Sequence, residues 1–125
     1  MQEVKSANAP EPVGPYSQAV VKDGLVYLSG QIGLDPATGQ LVSDDVLDQA
    51  KQVLTNLSEV AKEAGTSLQN TVKAEIFMTN IADFKDVNQI YGEFFNGQPS
   101  PARQTIGVAS LPLGAKIEIS AIIAL

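Results

Sequence analysis

Apolar positions along this chain recur with two different periods, and the switches between them divide it into elements. Ala19-Val20-Val21 and Leu25-Val26-Tyr27-Leu28 are β-prone runs separated by Asp23-Gly24. That pair accepts the positive φ angles of a type I′ turn, so the pattern predicts a hairpin. The second strand runs into Ser29-Gly30-Gln31-Ile32-Gly33, where two glycines let other atoms approach the backbone closely. Asp35-Pro36-Ala37-Thr38-Gly39 reads as a turn and lacks the alternating acidic ligands of a calcium loop.

From Ser43-Asp44-Asp45 to Gly65 the period becomes helical. Val46, Leu47, Ala50, Val53, Leu54, Leu57, Val60, Ala61 and Ala64 form one apolar stripe. Carboxylates stand at its positive end, and Gly65 can close it in the left-handed conformation. A third strand follows, with Val72, Ala74, Ile76 and Met78 predicted on one face and Lys73, Glu75 and Phe77 on the other. Asn80 or Asp83 caps a second helix with the stripe Phe84, Val87, Ile90, Tyr91 and Phe94. Strand four spans Ala102 to Val108 and strand five Lys116 to Leu125, while Met1 to Pro15, punctuated by prolines, is expected to be irregular. The order β-β-α-β-α-β-β predicts a single α+β domain over residues 1–125, one sheet with two helices on one face.

Two helices cover only one face of a sheet. Strand five carries Ile117, Ile119, Ala121 and Ile123 on one side, but Ile122 and Ala124 beside Glu118 and Ser120 on the other. A face this apolar predicts packing against a second copy of the chain. The alternative is a strand half-covered by the N-terminal arm.

Composition narrows the chemistry. The chain has neither histidine nor cysteine, which excludes a histidine base, a thiolate nucleophile and the usual zinc ligands. Fourteen acidic residues against eight basic ones give a net charge of −6, and the lysines are scattered, so no nucleic-acid partner is expected. No apolar run approaches membrane-spanning length, and the N-terminus is polar, so no membrane association and a cytoplasmic location are expected. Asp44, Asp45 and Asp48 lie where carboxylates answer a helix dipole, and no metal site is read there. Phosphate-binding glycine loops and dinucleotide fingerprints are missing from the sequence, so no cofactor is expected.

Arg103 is the only arginine, in Pro101-Ala102-Arg103-Gln104-Thr105. Its planar guanidinium can grip a carboxylate through two parallel hydrogen bonds, which lysine cannot do. Arg103 and Thr105 share a strand face, and Glu118 is the only acid after Glu93. The residues allow two readings: Arg103 anchors a substrate carboxylate while Glu118 positions water, or the two form a plain salt bridge. Tyr16 offers a hydroxyl or an aromatic wall to a ligand, or simply packs at a strand start. Ser29-Gly30-Gln31 offers a backbone N–H to an oxyanion, or is a β-bulge.

Taken together, Asn8-Ala9-Pro10, Gly14-Pro15-Tyr16-Ser17-Gln18-Ala19, Ser29-Gly30-Gln31-Ile32, Val87-Asn88 with Tyr91 and Phe94-Phe95, Pro101-Ala102-Arg103 and Lys116-Ile117-Glu118-Ile119 resemble the RidA (reactive intermediate deaminase) family over almost the whole chain. The resemblance implies a chorismate-mutase-like α+β fold and a homotrimer with three clefts between subunits. It also implies hydrolysis of 2-imino and 2-amino-enoic acids, such as 2-aminoacrylate and 2-iminobutyrate, to 2-keto acids and ammonia. By position, Arg103 matches the arginine that grips the substrate carboxylate, Glu118 the glutamate near the attacking water, and Tyr16 the tyrosine lining the cleft. Ser29 and Gly30 match the Ser-Gly wall, Thr105 the residue whose backbone touches the ligand, and Asn88 an asparagine read as structural. Three positions depart from the family pattern. Thr105 stands where several members carry cysteine, Ser120 where many carry a second glutamate, and Ser100 where an aromatic or proline is frequent. These departures bear on substrate preference.

The implied chemistry suits the residues available. An imine carbon beside a carboxylate is already electrophilic, so a protein need only orient it, supply a proton to nitrogen and deliver water. Two rivals stay open: a regulatory module that binds a 2-keto acid without turnover, and an endoribonuclease or translation inhibitor, which the net charge opposes.

Overall fold

A computed structural model describes all residues, Met1–Leu125. Six strands form one sheet in the order β1-β2-β3-β6-β4-β5: β1 (Gln2–Val4), β2 (Ala19–Lys22), β3 (Leu25–Gln31), β4 (Thr71–Met78), β5 (Ala102–Gly107) and β6 (Ile117–Ala124). The helices α1 (Val46–Glu63) and α2 (Phe84–Phe94) complete the domain. Neighbouring strands run antiparallel except β4 and β5, which are parallel. The α+β class agrees with expectation, as does the order of helices and strands from Ala19 onward. No helix is long and apolar enough to cross a membrane.

Local chemistry explains most elements. Asp23 and Gly24 both adopt positive φ, at 52° and 80°, which closes the β2–β3 hairpin as a primed turn. Asp45 caps α1 by accepting a hydrogen bond from the Leu47 N–H at 3.0 Å, and the hydroxyl of Ser43 donates to Asp48. The acidic cluster therefore serves the helix start. Gly65, at φ 89°, ends α1 with the 3.0 Å bond from the Thr66 N–H to the Ala61 carbonyl. Asn80 caps a short 3-10 turn over Ile81–Asp83, and α2 begins behind it.

The core lies between the helices and one sheet face. Val53, Leu54, Leu57 and Val60 of α1 meet Ala74, Ile76 and Met78 of β4 and the four alternate residues Ile117, Ile119, Ala121 and Ile123 of β6, all buried. Val87, Ile90 and Tyr91 complete it from α2.

Three expectations need correction. The N-terminal arm is not wholly irregular: Gln2–Val4 adds an edge strand to β2, and Val4 and Ala9 enter the core. Buried Gln18 anchors the arm, accepting from the Ser6 N–H at 2.6 Å and donating to the carbonyls of Ser6 and Pro10. Val72 faces outward, 48% exposed, with Thr71 buried in its place. The β4–β6 register slips by one residue between Thr71 and Lys73, and that bulge reverses the alternation. The buried surface of α2 also runs past Phe94 to Phe95, whose ring stacks on Tyr91 with centroids 4.3 Å apart.

The other sheet face has no helix over it. Tyr27 lies opposite Ile122 across β3 and β6, and Ile106 beside Phe77 across β5 and β4. Tyr27 is 40% exposed, and the other three are partly buried.

Candidate functional site

The sequence-derived site residues fall into two groups on opposite faces of the sheet. Glu118 on β6 pairs with Phe77, whereas Arg103 on β5 pairs with Ala74. Phe77 and Ala74 are three apart on one strand, so the two charged side chains leave the sheet in opposite directions. Strand β4 also lies between their strands. The salt bridge allowed by the sequence does not form, and the one ion pair is Lys5–Glu11 at 3.5 Å.

Glu118 lies in a cleft of about 480 Å³ with Tyr16, Ser29, Gly30, Ile32, Val13 and Leu113 among its walls. A bulge shapes its floor. From Leu28 to Gln31, β3 advances three residues while β6 advances two, from Ala121 to Ile119. The bulge reading of Ser29-Gly30-Gln31 is therefore correct, and its consequence is close approach. A Cβ on Gly30 would lie 2.9 Å from both Cδ and Oε2 of Glu118, so only glycine leaves room for that carboxylate. The Ser29 hydroxyl donates to the Ser17 carbonyl at 2.6 Å, and the Ser29 N–H to the Gln18 carbonyl at 2.9 Å. Both Ser29 donors are committed to holding Tyr16 and its neighbours beside β3. The Tyr16 side chain remains half exposed at the cleft.

Burial pushes the Glu118 carboxyl above its ordinary range, since removal from water disfavours the charged form. No side-chain hydrogen bond or cation offsets that effect. A carboxyl group raised in this way is suited to exchange protons with a ligand in the cleft.

Arg103 occupies a second cleft, about 470 Å³, with Asn88, Tyr91, Gly92, Phe95, Ser100 and Pro101. Its Nη1 donates to Asn88 Oδ1 at 2.6 Å, and its guanidinium carbon lies 5.0 Å from the Phe84 ring centre and 4.8 Å from that of Tyr91. The side chain is exposed. With no carboxylate partner, the remaining N–H groups are available to an external anion. Thr105 pairs with Ile76 and faces the same way as Arg103, but it lines neither cleft.

A family model described as endoribonuclease L-PSP matches residues 6–125. The 2-iminobutanoate/2-iminopropanoate deaminase of Capra hircus is 48% identical over 119 residues, covering 95% of this chain and 86% of that protein. Reactive Intermediate Deaminase A of Arabidopsis thaliana, a chloroplastic protein, is 50% identical over 95% of this chain and 63% of its own length. The chain belongs to the RidA family. A solved Rid-family structure from Yersinia pestis superposes with a TM-score of 0.96 at 44% identity, covering 99% of this chain and 98% of that one.

Behind the motifs of this RidA-family chain lie buried carboxamides that the sequence reading did not single out. Gln49 receives the Lys116 N–H at 2.8 Å and donates to the Ser43 carbonyl at 2.9 Å, tying α1 to the start of the Glu118 strand. Gly33 lets α1 come this close, because a Cβ there would lie 2.8 Å from the Gln49 Cα. Nothing in the sequence set Gln49 and Asn56 apart, because polar residues stand all along α1.

The Gly30 contact makes a direct prediction. In Gly30→Ala, the new methyl displaces the flexible end of Glu118 rather than any backbone. Turnover of an imine substrate is expected to fall roughly 100-fold, the scale set by an ångström of misplacement, with the thermal midpoint nearly unchanged. Wild-type turnover in a folded Gly30→Ala protein would show that the Glu118 position is irrelevant.

Proposed function

We propose that this chain hydrolyses 2-imino and enamino acids, such as 2-aminoacrylate and 2-iminobutyrate, to 2-keto acids and ammonia. It would do so in the cytoplasm, in clefts between the subunits of a homotrimer. The observation that carries the reading is the placement of Arg103 and Glu118 on opposite sheet faces. If both act on one small substrate, they must come from two copies of the chain. The uncovered face bearing Tyr27, Phe77, Ile106 and Ile122 supports such an assembly. The 48% identity to a deaminase named for 2-imino acids supports the reaction.

In this reading Arg103 of one copy takes the substrate carboxylate through its free N–H groups. The imine carbon then lies over the Ser29-Gly30 floor of the neighbouring copy, with Tyr16 forming a wall and Thr105 contributing backbone contact. Ionised Glu118 accepts a proton as water adds to the imine carbon. Glu118 passes that proton to nitrogen and takes the hydroxyl proton as the carbon–oxygen double bond forms and the carbon–nitrogen bond breaks. The departing ammonia carries it away, so that iminium plus water becomes keto acid plus ammonium. The substrate supplies its own electrophile, so no cofactor is required.

Subunit mixing tests the arrangement. Arg103→Ala and Glu118→Gln are each expected to be inactive as pure oligomers. After exchange in equal amounts, a site shared between copies restores about a quarter of wild-type activity, because one cleft in four pairs an intact arginine with an intact glutamate. A mixture with no recovered activity, or a monomer of 13.2 kDa by light scattering, would defeat the shared cleft. Binding of 2-oxobutanoate without ammonia release would instead favour a sensing module. An endoribonuclease activity finds little support in a chain with net charge −6.

A further inference from the structure

Three side chains on one face of α2 surround Arg103. Phe84, Asn88 and Tyr91 stand at positions i, i+4 and i+7, the spacing that aligns residues on one helix surface. Asn88 holds Nη1, and the Phe84 and Tyr91 rings lie within cation–π range of the guanidinium. All three are electrically neutral. Tyr91, like any phenol, is neutral near pH 7, and burial raises it further above the ordinary value, outweighing the opposing pull of Arg103. Tyr91 is 7% exposed as a residue and its ring packs on Phe95, so it forms a rigid wall.

We propose that Asn88, with Phe84 and Tyr91, is a positioning device that orients Arg103 while leaving its positive charge uncompensated. An aspartate at position 88 would hold the guanidinium as well, but it would also occupy the charge that must meet the substrate. An amide oxygen and two π faces fix direction without that competition. Asn88 acts through Arg103 and does not touch the reacting atoms. The inference rests on the reading of Arg103 as a carboxylate anchor.

The test exploits Arg103 being the only arginine, which gives the oligomer a single guanidinium signal set in nitrogen-edited NMR. Asn88 is exposed, so its replacements leave the core intact. In Asn88→Ala, the Arg103 signals are expected to shift toward those of a freely rotating arginine. The dissociation constant for 2-oxobutanoate and the KM for imine should rise about tenfold or more, the range for a hydrogen bond to a charged group, with kcat changed far less. Asn88→Asp should keep the signals ordered yet bind 2-oxobutanoate more weakly than Asn88→Ala. Phe84→Leu should lie between wild type and Asn88→Ala. Asn88→Asp binding like wild type would overturn the proposal, as would unchanged Arg103 signals in Asn88→Ala. Wild-type protein that binds 2-oxobutanoate but releases no ammonia would refute only the hydrolytic reading. Wild-type protein that binds no 2-oxo acid would refute the anchor and this inference with it.

Discussion

Arg103→Ala is expected to lose imine hydrolysis almost completely while remaining folded and oligomeric. Two charge-assisted hydrogen bonds to a carboxylate contribute about 1.5–3 kcal/mol each, so their removal should lower kcat/KM roughly 100-fold to 10,000-fold. Arg103 is exposed on the edge strand β5, where its side chain meets only Asn88 and the Phe84 and Tyr91 rings, so stability should fall by no more than about 1–2 kcal/mol and the fold should survive. Arg103→Lys separates charge from shape. Lysine retains the positive charge but cannot make the paired contact, and its flexible stem gains little from the Phe84 and Tyr91 walls. An intermediate loss, about tenfold to 100-fold, is expected there. Circular dichroism and light scattering establish the fold, and ammonia release measures the reaction. Wild-type-like hydrolysis by folded Arg103→Ala protein would remove both the site assignment and the mechanism built on it.

Glu118→Gln is expected to separate chemistry from binding. The amide fits the space over Gly30 but cannot accept a proton from water. Turnover should fall about 100-fold to 10,000-fold, the usual range for loss of a general base, with 2-oxobutanoate binding nearly intact. The pH profile gives a second readout. Burial raises the Glu118 carboxyl, so the acid limb of kcat/KM should lie above the ordinary glutamate range, with activity falling as pH drops through it. The replacement should abolish that limb. The stability sign runs opposite to that of a salt-bridged acid. A folded-state value above the unfolded one favours folding at low pH, and that contribution is lost as pH rises through the raised value. The glutamine variant should therefore be no less stable than wild type near neutrality. Equal losses in binding and turnover, with an unchanged acid limb, would mean that Glu118 is only part of the cleft wall.

Much of the architecture is written in local patterns, because its causes lie within a few residues. Asp23-Gly24 closes its hairpin through backbone angles that glycine tolerates, and Gly65 ends α1 for the same reason. The helix stripes and the alternation of β6 follow from the two side-chain periods. Arg103 stood out by being alone, and family resemblance, rather than spacing, attached roles to it and to Glu118, Tyr16 and Ser29. Strand order was beyond local pattern. β4 separates β5 from β6 because distant segments pair by total burial and connection geometry, neither of which a single run of residues carries. The Val72 bulge, the short Gln2–Val4 edge strand and the buried amides of Gln18, Gln49 and Asn56 were hidden for a related reason. A polar residue looks alike in sequence whether it faces water or satisfies buried backbone groups. The opposite orientation of Arg103 and Glu118 is the largest decision left to tertiary structure, since side-chain direction across a sheet depends on register. It separates a pair of residues that sequence allows as a salt bridge into two different clefts, one holding Glu118 and the other Arg103.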